Sequence, residues 1–327
     1  MLSTLRNLFI DGDAHMPWRN VAVTISAIAL PAVVAVLLFG PSGAVAFVAA
    51  MPAHLAAKDN GIKVGALVTL VMGMAGLLSL GNPAMALIVA PTLGLMSGIC
   101  GSFGLARPCI RALLTWTIFT SPIIEGPDPT FLFAVFVAAM IWSLWLTWVT
   151  GDAGTNGDEE RESEEYVLAF GVVLAVGLFV SVYVGHRFFG DHGFWFPLTF
   201  VVLVLPPHGQ LFRRTWMRSV GTVLGTAATL GAAALTSEPW VMVLTGAIAM
   251  PLGFRFLPSS YTTFTFFLTI AVLEVLALVS DVDHLALERV GTMAAAAAMT
   301  LLLGFLGWAG LKLFRPNALD ALQEDAS

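Results

Sequence analysis

Three ionisable side chains stand where an apolar chain has little reason to keep them: Arg218, Glu274 and Arg289. Arg218 ends the basic run Arg213, Arg214, Arg218 and is followed by Gly221-Thr222-x-x-Gly225-Thr226. That pattern suits anion chemistry. A helix N-terminus offers free N–H groups and partial positive charge, and an arginine one turn away adds a full charge. Glycines at i and i+4 open one helix face to a neighbouring backbone, and threonine hydroxyls beside them can hydrogen-bond across it. Arg213 and Arg214 need no role beyond orienting the chain in a membrane. The basic-then-glycine device recurs in Lys63-Val64-Gly65 and in Arg289-Val290-Gly291-Thr292. Arg218, Arg289, Lys63 and Thr222 are therefore expected to hold an anionic substrate. Gly221, Gly225, Gly65 and Gly291 are expected to bring helices together. Lys63 also reads as a side chain snorkelling to the interface.

Glu274 lies in TFTFFLTIAVLEVLALVS. A carboxylate at membrane depth costs about 3 kcal/mol unless it is paired, hydrated or protonated. It is expected to couple a proton or to pair with a pathway arginine, unless nearby Ser280-Asp281 marks a hydrated interface. His208 is the second proton-coupling candidate, since imidazole titrates near neutral pH. His208 and His54 each follow a proline by two residues and read equally as helix caps. Phe194, Trp195, Phe196, Tyr261, Phe264, Phe266 and Phe267 offer faces for an aromatic substrate or serve as packing. The sequence shows no phosphate-cradling loop with its lysine, no metal-ligand cluster, and two cysteines, Cys100 and Cys109, that suit neither role. No enzyme, cofactor, metal or nucleic-acid partner is expected.

The elements that must position these residues follow from composition. The 327 residues are 58% hydrophobic and 11% charged, against about 45–50% and 25% in soluble domains. The chain reads as an all-α polytopic membrane protein. Glycines, prolines and charge clusters divide it into about twelve apolar runs. The first six are near 20–39, 42–57, 63–80, 83–103, 110–123 and 130–150. The other six are near 166–186, 193–207, 217–236, 239–256, 260–279 and 286–313. Several are short for a span of about 20 residues, so one or two are expected to be re-entrant. Pro83, Pro91, Pro122 and Pro197 are expected to kink or break helices. Trp142, Trp145 and Trp148 read as an interfacial belt. Residues 1–17 carry Asp11 and Asp13 and do not read as a signal peptide.

With the N-terminus inside and twelve crossings, 13 of the lysines and arginines lie inside, and Arg187 and Arg289 lie outside. That asymmetry places both termini in the cytoplasm. It also puts Arg218 and Arg289 at opposite mouths of the bundle. Residues 1–150 read as a first six-helix half, 151–165 as a solvated acidic linker, 166–313 as a second half and 314–327 as a short tail. MPAHLAAKDNGIKVGALVTLVMG (51–73) and LPPHGQLFRRTWMRSVGTVLGTA (205–227) share Pro-x-His, a basic loop and a glycine-initiated helix. Two halves with an even number of helices imply parallel repeats.

FWFPLTFVVLVLPPHGQLFRRTWMRSVGTVLGTAATL resembles the signature of the fusaric-acid-resistance (FUSC) superfamily: Trp195, Leu198-Thr199, Pro206-Pro207, then Arg218, Gly221-Thr222 and Gly225. A second block also resembles the family, through Tyr261, Thr269, Leu273, Arg289 and Gly291-Thr292. The resemblance covers roughly 166–313. It implies a bacterial inner-membrane protein that exports aromatic carboxylic acids or similar organic anions, in some relatives with a periplasmic adaptor subunit. The chain departs from many relatives in its short linker and tail. Together with Glu274, the resemblance leads to a proton-coupled secondary exporter as the expected function. A passive anion channel and a non-transporting envelope-assembly component are the alternatives. The lipid bilayer and a small organic anion are the expected partners, and the Gly221/Gly225 step leaves room for a homodimer without requiring one.

Overall fold

The computed structural model describes residues 14–120, 128–157, 161, 164–205, 211–236, 238–278 and 280–314. All regular structure among them is helical. The α-helices are α1 (Trp18–Phe39), α2 (Val45–Asn60), α3 (Ile62–Ser79), α4 (Pro83–Ile99), α5 (Ala106–Trp116) and α6 (Pro129–Val149). They continue as α7 (Glu164–Phe188), α8 (Trp195–Leu203), α9 (Leu211–Leu235), α10 (Pro239–Phe256), α11 (Tyr261–Leu276) and α12 (Val282–Phe314). Helix starts follow local chemistry. Asn82 accepts from the Met85 N–H with Pro83 next to it, Asp128 accepts from Thr130 N–H before Pro129, and Ser260 accepts from Thr263 N–H. Such caps satisfy amides the first turn leaves open.

Among the described residues, seven stretches are long and apolar enough to cross a membrane: Trp18–Phe39, Ile62–Ser79, Pro83–Phe103, Pro129–Val149, Val167–Phe188, Pro239–Phe256 and Val282–Gly310. The protein is a helical membrane protein. The runs near 110–123 and 193–207, expected as crossings, form helices of only 11 and 9 residues. At 1.5 Å per residue these are roughly 17 and 14 Å long, short of about 30 Å of hydrocarbon. Both are core elements: Ile110, Leu113, Trp116, Phe200 and Leu203 are fully buried. Tyr261–Leu276 is apolar but also short.

The chain divides into two compact units. Unit 1 comprises Met1–Ala22 and Gln210–Ala297. Within it α9 and α11 run side by side in the same direction. A Cβ built on Gly221 would lie 2.6 Å from the Thr262 carbonyl oxygen, and one on Gly225 2.7 Å from that of Phe266. Helix α10 runs antiparallel to α11, with Gly246 beside Ala271 and Gly253 beside Phe267. The N-terminal segment docks on the end of α10. Met16 N–H donates to the Arg255 carbonyl at 2.9 Å, and the Arg255 guanidinium lies 4.5 Å from the Trp18 ring centre.

Unit 2 comprises Val23–Gly209 and Ala298–Ser327. A small-residue face on α2, with Ala46, Ala49, Ala50, Ala53 and Ala57 fully or nearly buried, lets α3, α5 and α6 approach closely. Gly65 on α3 sits against this face, its Cβ position 2.9 Å from the Ala53 carbonyl oxygen. Helices α4 and α7 make an equally close antiparallel contact. A Cβ on Gly94 would lie 2.6 Å from Ala175 Cα, and one on Gly98 would overlap Gly171. The start of the expected solvated linker is ordered against this unit. Gly154 and Asn156 N–H donate to the carbonyls of Ala57 and Lys58, and Asn156 Nδ2 donates to Asp59 Oδ1 at 2.6 Å. These bonds cap the exposed carbonyls at the end of α2.

Candidate functional site

The arrangement of α9 is inverted relative to a soluble amphipathic helix. Apart from Met217, its buried residues are polar or small: Thr215, Arg218, Gly221, Thr222, Gly225, Thr226 and Thr229. Its exposed side carries Trp216, Val223 and Leu224. Steps of three and four residues keep the stripe on one face. Helix α11 buries Thr262, Thr265, Thr269 and Glu274 in the same way, and α12 buries Arg289 and Thr292.

Arg218 is 1% exposed. Its Nη1 donates to the Tyr261 hydroxyl at 3.2 Å, and its Nε has no hydrogen-bond partner among the described residues. Tyr261 owes its place to two local features. Ser260 caps α11, which makes Tyr261 the first helical residue, and the Gly221 contact holds that end of α11 at the level of Arg218. Arg289 is 4% exposed and lies within electrostatic reach of both Arg218 and Tyr261. This corrects the expectation that Arg218 and Arg289 occupy opposite mouths. Helix α12 starts at Val282, so Arg289 sits seven residues, about 10 Å, inside it. Two guanidiniums thus share one buried region, an arrangement that repels itself and attracts an anion.

Buried hydroxyls lie along the same helices. Thr215, Thr265 and Thr292 donate to carbonyls one turn back in their own helices. Thr222, Thr226 and Thr229 of α9 and Thr262 and Thr269 of α11 do not. Their Oγ1 atoms are buried without a partner among the described residues. Glu274 lies 13 residues beyond Tyr261 on α11, about 20 Å along the helix. It is 3% exposed and its Oε1 has no partner among the described residues. Glu274 is thus enclosed within unit 1.

The other expected residues lie elsewhere. Lys63 is exposed at the start of α3 in unit 2 and does not join the arginine cluster. Gly291 is half-buried in α12. His208 falls outside the described residues, as do Pro206 and Pro207. His54 is not a cap. It is fully buried, with Nδ1 2.8 Å from Thr147 Oγ1 and Nε2 3.3 Å from Thr24 Oγ1. Thr147 gives its own proton to the Ser143 carbonyl, so its oxygen accepts from an Nδ1–H tautomer. Phe194, Trp195 and Phe196 are buried in unit 2, where Trp195 stacks on His192 at 4.8 Å. Trp142, Trp145 and Trp148 are exposed along α6.

Sequence reasoning missed the ion pair between Asp59 and Arg111, at 2.6 Å, with Asp59 2% exposed. Its only signal was an acid between Lys58 and Lys63, at the last turn of α2. A cavity of about 500 Å³ also lies in unit 2, bordered by Asn82, Tyr183, His186 and Arg187.

Residues 162–303 match the family described as fusaric acid resistance protein-like, which upholds the resemblance read from the Arg218 and Arg289 motifs. The matched interval holds α7 to α11 and most of α12. The chain is also similar to an uncharacterized protein of Synechocystis sp., at 27% identity over 141 residues. The aligned part is 42% of this chain and 19% of that protein, so the chain spans about a fifth of the length of this curated relative. No solved structure matches.

Proposed function

We propose that the protein is a secondary transporter that exports aromatic carboxylates or similar organic anions across the bacterial inner membrane. The observation that carries the reading is the buried Arg218–Tyr261–Arg289 cluster inside a helix bundle whose outer faces are apolar. A carboxylate between two guanidiniums offsets their repulsion and forms charge-assisted hydrogen bonds. The hydroxyls of Thr222 and Thr262 supply donors and acceptors for the rest of the ligand. The match of residues 162–303 to the fusaric-acid-resistance family supports the same class.

Glu274 is the proton-coupling group in this reading, since a buried carboxyl lacking a partner at Oε1 gains most from taking up a proton. The topology proposed has both termini inside, with α5 and α8 packed within unit 2 and not crossing on their own. Lys58, Lys63, Arg107 and Arg111 support it. They gather at one end of unit 2, where Asn60 Nδ2 donates to the Gly104 carbonyl. A periplasmic adaptor and a second copy are the partners this reading allows, and co-purification tests both.

The test is uptake of labelled 4-hydroxybenzoate into inside-out vesicles, with and without an imposed pH gradient. Wild type should accumulate the label only with the gradient. Arg218→Gln should lose uptake at normal expression, and Glu274→Gln should lose the gradient dependence. Equilibration without accumulation in wild type would identify a channel. Full uptake by Arg218→Gln would remove the arginine cluster from the mechanism.

A further inference from the structure

The cavity in unit 2 takes no part in the arginine cluster, and its wall has the chemistry of a binding site. It encloses about 500 Å³, the size of a small-molecule pocket. It lies where α3 ends, α4 starts and α7 ends. Helix α3 runs from Lys63 to Ser79 at the cavity, so the cavity is at the end of unit 2 away from Lys58 and Lys63. In the orientation proposed above, that end is the one where basic residues are scarce. Arg187 stands there all the same. Its guanidinium is 5.7 Å from the Phe188 ring centre and has no hydrogen-bond or ion-pair partner among the described residues. Asp191 borders the same cavity and is itself engaged within the protein. Asn82 uses Oδ1 to accept from the Met85 N–H at 3.0 Å, which leaves Nδ2 to donate. The exposed Tyr183 hydroxyl and His186 ring likewise have no partner among the described residues. Part of the wall is apolar and closed, with Ala86, Val182 and Phe194 buried. The cavity also adjoins a lipid-facing stripe. Val172, Val176, Phe179 and Tyr183 are exposed on α7 at steps of four, three and four, and Arg187 follows four residues later. They share one face of the helix. From Val172 to Tyr183 is about 17 Å, close to the hydrocarbon depth of one leaflet.

We propose that this cavity holds the head group of a membrane phospholipid. Arg187 and His186 bind the phosphate, Asn82 and Tyr183 hydrogen-bond the phosphate or its glycerol, and an acyl chain lies along Val172, Val176 and Phe179. A guanidinium makes charge-assisted hydrogen bonds to phosphate oxygens, and a tyrosine at the end of an apolar stripe suits the level of the head groups. A soluble phosphate ester has the same head-group chemistry but nothing to lay against the stripe. All of these residues belong to unit 2, so the proposal holds whether or not the protein transports anions. A lipid seated there joins the start of α4 to the end of α7.

The experiment titrates dioleoylphosphatidylglycerol into the full chain, delipidated in dodecyl maltoside, and follows the bound species by native mass spectrometry. Wild type should bind a first lipid more tightly than those that follow. Arg187→Gln should weaken that first step by roughly tenfold, the loss of one charge-assisted contact. Lys312→Gln removes another exposed cation of unit 2, beside Trp308, and should leave the step unchanged. His186→Gln covers the case in which Arg187→Gln does not assemble, and should also weaken the first step. Affinities for Arg187→Gln and His186→Gln equal to that of Lys312→Gln overturn the proposal. Two competitors separate the parts of the ligand. Dioleoylglycerol, which has the chains and no phosphate, should not displace the first lipid, and displacement at equal concentration removes the phosphate contact. Glycerol 3-phosphate should not displace it either. Displacement at equal concentration would make the site one for a soluble phosphate ester and overturn the lipid assignment.

Discussion

The contact between α9 and α11 gives the sharpest test of how unit 1 is held together. Consider Gly225→Ala beside Gly231→Ala. Both sit in α9, so the gain in helix propensity, about 1 kcal/mol, is common to both and cancels in their difference. The surroundings differ. A Cβ at Gly231 meets nothing within 4 Å, while one at Gly225 lies 2.7 Å from the Phe266 carbonyl oxygen and 2.8 Å from Thr269 Cβ. Comfortable carbon contacts are about 3.5–4.0 Å, so α11 must retreat by roughly 0.7–1 Å or its side chains must leave their rotamers. Overpacking of one methyl costs about 1–3 kcal/mol. Gly225→Ala should therefore be less stable than Gly231→Ala by about that amount in reversible unfolding in mixed micelles, followed by tryptophan fluorescence. Gly221→Ala added to Gly225→Ala should cost less than the sum of the two, because one displacement of α11 relieves both. Equal stabilities for Gly225→Ala and Gly231→Ala, within about 0.5 kcal/mol, would refute the close approach.

Three further outcomes follow from the same geometry. Tyr261→Phe removes the acceptor of Arg218 Nη1, a hydrogen bond to a charged group worth about 1.5–3 kcal/mol. The half-saturation concentration for the anion should rise by roughly tenfold or more, and an unchanged value in vesicle uptake would exclude Tyr261 from the site. Asp59→Ala removes the carboxylate beside Arg111, whose side chain is 25% exposed, and should cost about 1.5–3 kcal/mol, read as a fall in melting midpoint. Asn156→Ala removes one hydrogen bond to the same carboxylate and should cost only about 1 kcal/mol in the same measurement; a change as large as that of Asp59→Ala would mean the linker, and not the ion pair, holds this corner.

The helical membrane architecture was legible because hydropathy acts residue by residue and survives without tertiary knowledge. The Arg218 and Arg289 motifs also carried the family over residues 162–303. Run length alone misled at 110–123 and 193–207. An apolar stretch enclosed by other helices has the same composition as one facing lipid, and burial of Ile110 and Phe200 tells them apart. Arg289 was misplaced for a different reason. Charge counting assigns a residue to a side of the membrane by its loop. An arginine two turns inside a helix reaches several ångströms farther through its side chain, and Arg289 lies within electrostatic reach of Arg218 on another element. Tyr261 was grouped with the aromatics because its hydroxyl matters only once α9 and α11 are known to run parallel. Asp59 was overlooked because its partner Arg111 is 52 residues away.

In lipid, burying apolar surface does not sort helices, so close packing and polar contacts must hold them together. Helix α9 divides these tasks between adjacent positions of one stripe. Gly221 and Gly225 bring its backbone against α11, and dispersion along that contact supplies the adhesion. Thr222 and Thr226, each one residue on and rotated by about 100°, face the flank of the contact and make no hydrogen bond with the protein among the described residues. Had the threonines served as the adhesive, they would be bonded across the helices, as buried hydroxyls usually are. The glycines therefore relieve the hydroxyls of a structural duty. A bundle held by its glycines can keep Arg218, Arg289 and the buried hydroxyls of the same helices for a ligand, and damage to the two sets should separate cleanly. Glycine substitutions should lower stability first, and arginine or threonine substitutions should lower transport first.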